Sequence, residues 1–132
     1  MGTSETEDEM TFKEFSEANR TRCESSRGFN HKLDSWSLSD WMTALVGEVG
    51  EAANVVKKLN RVHDGITGNK ESEEMLRVQL RRELGDAFVY LDLMCQAIGF
   101  YVVDAALEVF EAKSREIGYD PSARRSGSVR QD

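Results

Sequence analysis

Two glutamates three residues apart, Glu48 and Glu51, stand in the stretch WMTALVGEVGEAANVVKK, which reads as one face of a helix. At 100° per residue, Trp41, Ala44, Leu45, Ala52, Val55 and Leu59 fall on a single stripe. Glu48 lies in the centre of that stripe and Glu51 on its flank. A carboxylate directed into a helical core costs several kcal/mol unless something compensates it. The pattern returns in LRRELGDAFVYLDLM, where Glu83 sits within the stripe Leu76, Leu80, Ala87, Leu91 and Met94, and Asp86 sits beside it. The motif is E-x2-E, then 31 residues, then E-x2-D. Residues three apart are neighbours on a helix surface. Two such pairs on facing antiparallel helices would gather four carboxylates around one small volume. Hard oxygen donors without His or Cys select Mg2+, Mn2+ or Ca2+ over zinc. Either pair alone reads more readily as solvated surface charge. It is their repetition on an apolar face that points to a bound cation. A ferritin-like di-iron site would require E-x-x-H on two helices, and neither His31 nor His63 follows a glutamate at that spacing.

Cations and amides adjoin the acids. Asn54 and Lys58 continue the Glu51 side of the helix, with Lys57 and Arg61 nearby. A metal cluster in line with ammonium or guanidinium groups suits a polyphosphate tail. The competing reading is a solvated helix end, where cations favour the dipole. Tyr90 follows Asp86 by one turn and is either a phosphate contact or a core aromatic. Phe29, His31, Trp36 and Trp41 precede the first acidic pair and are near enough in sequence to line a base pocket. Trp36 is the stronger stacking candidate, whereas Trp41, at helical spacing with Ala44 and Leu45, reads as core.

The elements that must position these groups are all helical. Residues 1–10 read as a disordered start, 11–118 as one helical domain and 119–132 as a tail. Thr11 with Glu14 forms a capping-box signature for a helix from Phe12 to about Ser25, with Phe12, Phe15, Ala18 and Arg22 or Cys23 directed inward and Gly28 ending it. Ser37 with Asp40 caps the central helix, which runs to about Val62. HDGITGN, residues 63–69, is a loop. Ser72 caps a helix from Glu73 to Ile98, closed by Gly99. A last helix, beginning at Tyr101 or Val103 and ending near Ile117, carries Val102, Ala105, Ala106, Val109, Phe110 and Ile117 as its apolar positions. No alternation suggests a strand. The expected class is all-α, an antiparallel four-helix bundle.

The chain has 132 residues and a formal net charge of −7. That balance disfavours nucleic-acid binding through a basic surface. No apolar run approaches the ~18 residues of a membrane span, and the first residues lack the apolar core of a signal peptide. Cys23 and Cys95 show no CxxC spacing, so the expected setting is a reduced cytoplasm. Val46, Val56, Met75, Phe88 and Val89 lie off the acidic stripe. They suggest a homo-oligomer, a tetramer or a dimer, with the surface of the second and third helices opposite the carboxylates as its interface.

Together, ALVGEVGEAANVVKKLNR, RRELGDAFVYLDLM and FEAKSREIGY resemble the MazG-like all-α nucleoside triphosphate pyrophosphohydrolases over roughly Trp36 to Tyr119. The resemblance implies that Glu48, Glu51, Glu83 and Asp86 bind Mg2+, for which the oxygen donors would accept Mn2+ as a substitute. It also implies that a nucleoside triphosphate is cleaved between the α and β phosphates to monophosphate and pyrophosphate. It implies dimers or dimer-based tetramers. One departure stands out: where many relatives carry a Lys-Phe-Asn-like stretch on the last helix, this chain has Val109, Phe110 and Glu111, with Lys113 the alternative cation. A non-enzymatic helical interaction module with a structural cation, and a hydrolase of another phosphorylated metabolite, remain open alternatives.

Overall fold

The computed structural model describes residues 9–120. Apart from residues 9–10 and 119–120, the expected disordered start and tail lie outside the described residues. The helices are α1 (Phe12–Glu24), α2 (Leu38–His63), α3 (Glu73–Ile98) and α4 (Val102–Glu116), with a single 3-10 turn at Leu33–Ser35. Among the described residues there is no strand, and no single helix is long and apolar enough to cross a membrane.

Local chemistry accounts for the helix boundaries. Reciprocal capping boxes start α1 (Thr11 with Glu14) and α2 (Ser37 with Asp40), each satisfying two backbone N–H groups that the helix leaves open. Ser72 caps α3 by accepting from the Met75 N–H. Gly99 ends it at φ 119°, a conformation a side chain would resist. Gly28 has a different role. A Cβ there would collide with the Arg22 carbonyl, so only glycine lets the chain fold back on the end of α1. The returning strand of loop is held by Phe29 N–H donating to Arg22 O (3.0 Å) and His31 N–H to Cys23 O (2.7 Å). The Glu24 carboxylate accepts from the Leu33 N–H at 3.0 Å, and that bond is the main reason its carboxyl is held below the usual range.

Helices α2 and α3 form the main packed pair. Trp41, Ala52 and Val55 of α2 are buried, as its expected stripe has them, and so are Leu76, Leu93, Met94 and Cys95 of α3; on α3 only Leu76 and Met94 of the expected stripe are buried, with Leu80, Ala87 and Leu91 partly exposed. The loop between the two helices is tied down by Arg61 Nη2 donating to Thr67 O (2.7 Å), Asn69 Nδ2 to Lys58 O (2.9 Å) and the Lys58–Glu71 ion pair (3.0 Å).

Three expectations need correction. The inward face of α1 is Ser16, Asn19 and Cys23, not Phe12 and Ala18, which are exposed. Asp92, fully buried on α3, is the reason. It accepts from Ser16 Oγ, from Asn19 Nδ2 (2.9 Å) and from Gln96 Nε2 (3.1 Å). Gln96 also donates to Ser16 O (2.8 Å). A buried carboxyl must find donors, and these sit on α1. Phe88 and Val89, expected on an outer surface, are only partly exposed. Phe88 faces Phe12 and Phe15, with ring centroids 6.3 and 6.0 Å away, and Val89 packs against the core. Finally, α4 is turned 94° from α3 instead of lying along the bundle. Its Val109, Phe110 and Ile117 are consequently exposed.

Candidate metal centre

Glu48 and Asp86 are equidistant in sequence from Thr67 in the α2–α3 loop, and so are Glu51 and Glu83. An antiparallel helical hairpin closes with such residues opposite one another. Carboxylate oxygens of Glu48, Glu83 and Asp86 all lie within 4.8 Å of one another. Glu51 stands outside this trio, exposed like Asp86, but within hydrogen-bonding reach of Glu83. Glu48 and Glu83 are half-buried, and Asp86 is exposed.

The electrostatics are unfavourable for the bare protein. Glu83 Oε1 is sealed from solvent with no donor. Burial, then the hydrogen bond and charge of Glu51, then Asp86 and Glu48, raise the Glu83 pKa. Burial raises that of Glu48 as well, followed by the charges of Glu51 and Asp86. Two anionic carboxylates cannot donate to each other, so this orphaned oxygen requires either a proton or a cation. The donors are all oxygen and the site carries up to four negative charges; that set fits Mg2+ or Mn2+.

A linkage prediction follows. A carboxyl whose folded pKa is raised binds protons more tightly when folded. Its stabilising protonation is complete below the ordinary glutamate value near 4.5 and is lost as pH rises through the raised value. Glu24 and Glu71, held low by the Leu33 N–H and by Lys58 respectively, act in the opposite direction and below 4.5. Metal-free protein therefore gains stability from Glu48 and Glu83 as pH falls through their raised values towards 4.5. The melting temperature of wild type, less that of the Glu48→Gln/Glu83→Gln double variant, should climb across this window. A flat difference would mean that the cluster is unstrained.

Two cavities flank the carboxylates. One, of about 500 Å3, includes Glu48 and Asp86 in its wall together with His31, Trp36, Trp41 and Tyr90. The rings of Trp36 and Trp41 meet edge-on at 4.8 Å, and His31 meets Trp36 at 4.7 Å. Trp41 is also core, its Nε1–H donating to Leu33 O at 3.1 Å. The second, of about 560 Å3, is polar and includes Glu51, Asn54, Lys58, Gln79, Arg82 and Glu83. Trp36 and Tyr90 thus adjoin the site on one side, and Asn54 and Lys58 on the other. Arg61 lines neither cavity; its guanidinium holds the loop carbonyl of Thr67. Lys113 lies on α4 in an ion pair with Glu116 (3.0 Å), also outside both cavities. Sequence reasoning missed Asn19, Gln79 and Arg82. Gln79 and Arg82 share the second cavity with Glu83 and were legible from their nearness to it in sequence; Asn19 carried no such signal.

Comparisons with protein-family models, with curated proteins and with solved structures returned no match.

Proposed function

We propose that this chain is a Mg2+-dependent nucleoside triphosphate pyrophosphohydrolase of the MazG-like all-α type, converting a nucleoside triphosphate and water to the monophosphate and pyrophosphate. The observation that carries the reading is the trio Glu48, Glu83 and Asp86, drawn from two helices and set between an aromatic cavity and a polar one. Glu48, Glu83 and Asp86, with Glu51 beside them, would hold the metal. Bound Mg2+ would neutralise charge on the phosphoryl oxygens and make water a better nucleophile. The aromatic cavity takes the nucleoside. The polar one takes the phosphate tail, with Lys58, Arg82 and the amides of Asn54 and Gln79 as donors. In the hydrolytic step a water oxygen bonds to phosphorus and the α–β bridging oxygen leaves with pyrophosphate. Glu51, the exposed carboxylate outside the trio, takes the proton.

Incubation with nucleoside and deoxynucleoside triphosphates and Mg2+ tests this directly. Pyrophosphate release supports the reading. Orthophosphate alone would indicate a different phosphohydrolase, and no release would return the acids to a structural cation site in an interaction module. Lys58 is paired with Glu71 at 3.0 Å and would have to exchange that partner for phosphate. Lys58→Ala should therefore weaken triphosphate binding by about tenfold and monophosphate binding less. Equal losses measured by titration would make Lys58 a loop clamp only.

The proposal extends to assembly. Val46, Val49, Val56 and Leu84 on α2 and α3, and Val109 and Phe110 on α4, are exposed. Surfaces of this kind are commonly covered in closed homo-oligomers, so a dimer or tetramer is expected. Light scattering after size exclusion reads the mass, and a monomer at micromolar concentration would refute the assembly.

A further inference from the structure

Two cations stand in the wall of the polar cavity, and the fold treats them differently. Arg82 is exposed and makes no ion pair among the described residues. Lys58 is already engaged. Its Nζ lies 3.0 Å from Glu71 Oε2, with the two side chains 30 % and 20 % exposed. Glu71 does not line the cavity. It reaches Lys58 from the α2–α3 loop, one residue before the Ser72 cap of α3. That cap anchors it, since Ser72 Oγ accepts from the Met75 N–H at 3.1 Å. Lys58 instead carries its ammonium on a flexible four-carbon stem, so the lysine is the partner free to swing. Glu71 is only half satisfied, because its Oε1 is sealed from solvent with no donor. Lys58, assisted by the backbone N–H of Glu71 itself, holds the carboxyl below the usual range. The pair is therefore ionised at neutral pH, and an anion of the protein's own occupies a cation in the cavity wall.

We infer that Glu71 is a built-in competitor for the phosphate tail: its carboxylate occupies the Lys58 ammonium that the tail needs, and so sets how tightly the triphosphate and the pyrophosphate product are held. This rests on the phosphate reading of the polar cavity above and adds the residue that limits affinity there. Glu71 touches no substrate and acts through Lys58. A tail carrying several charges displaces a single carboxylate from the ammonium. Once the bond to the α phosphorus is cut, Glu71 can recapture Lys58 and loosen the pyrophosphate. A nucleoside monophosphate has no tail to place in the polar cavity, so the pair stays closed when it binds.

Binding of inorganic pyrophosphate to the full chain in Mg2+ tests this by calorimetry on wild type, Glu71→Gln, Lys58→Ala and the double variant, with a nucleoside monophosphate as the comparison ligand. Glu71→Gln should bind pyrophosphate about five- to tenfold more tightly and the monophosphate as wild type does. The gain should vanish in the Lys58→Ala background, because it passes through that ammonium. A residue that merely holds the loop would move both ligands alike or neither. Pyrophosphate bound no more tightly by Glu71→Gln, or a gain that persists without Lys58, overturns the inference. Weaker binding would overturn it too, since the three donor hydrogens of Lys58 would then hold Glu71 and phosphate together. If Glu71→Gln does not fold, wild type decides by amide exchange. Pyrophosphate should quicken exchange at residues 70–72, which lose their tie to Lys58, and unchanged or slower exchange overturns the inference. Tighter pyrophosphate binding by Glu71→Gln, with no pyrophosphate released from triphosphates by wild type, would sustain it while refuting the hydrolase. Release by wild type with no gain in the variant would do the reverse.

Discussion

Glu83→Gln is expected to lower Mg2+-dependent pyrophosphate release by about a thousandfold or more while leaving the protein folded and, without metal, more stable. The two effects share one origin. Glu83 lies between Glu51, Asp86 and Glu48, with one oxygen sealed and undonated. Neutralising it removes a repelling charge from the metal-free cluster and at the same time removes a donor that would hold the metal. Glu48→Gln should behave the same way, since burial and the charges of Glu51 and Asp86 oppose its ionisation. Asp86→Asn should lose activity with a smaller gain in stability, being exposed. The companion measurement is thermal unfolding with and without metal. Mg2+ at a hundred times its Kd stabilises wild type by about 2.7 kcal/mol, a shift of several degrees, and the Glu83 and Glu48 variants should lose most of that shift. Two or more of these variants with near-wild-type turnover and an intact Mg2+ shift would remove the site from consideration.

Asp92→Ala is expected to be the most destabilising single substitution in the chain, by about 3 kcal/mol or more. The side chain is wholly buried, and three donors from Ser16, Asn19 and Gln96 converge on it. Removing it leaves those donors without that acceptor in the protein interior, and each such loss costs about 1–3 kcal/mol. The effect should be directional as well as large, because these bonds attach α1 to α3. Urea denaturation should show the lower midpoint, and amide exchange should quicken first in α1. Asp92→Asn should cost less, keeping one acceptor oxygen while turning an NH2 towards a donor. If Asp92→Ala unfolded at the wild-type urea midpoint, the network would be incidental.

Much of this protein is written locally. The capping boxes Thr11–Glu14 and Ser37–Asp40, the Ser72 cap and Gly99 act within one helical turn, so the positions of α1, α2 and α3 follow from adjacent residues. The apolar stripes of α2 and α3, and the intrusion of Glu48 and Glu83 into them, are periodic and therefore also visible in the chain. Even the meeting of Glu48 with Asp86 was implicit, because two helices joined by a short loop bring equidistant residues together. Partner choice at long range was not. Ser16 and Asn19 look like ordinary polar helix residues until Asp92, more than 70 positions away, supplies the reason they face inward while Phe12 does not. Lys58 and Arg61 carry a signal for phosphate, yet the tertiary structure gives the first to Glu71 and the second to Thr67. Glu51 belongs to the motif but lies outside the trio. The 94° turn of α4 likewise answers to no pattern in its own apolar residues. Periodicity states which face of a helix avoids water; it does not state what that face will meet, since a hydrogen bond depends on the positions of two groups that only the folded chain brings together.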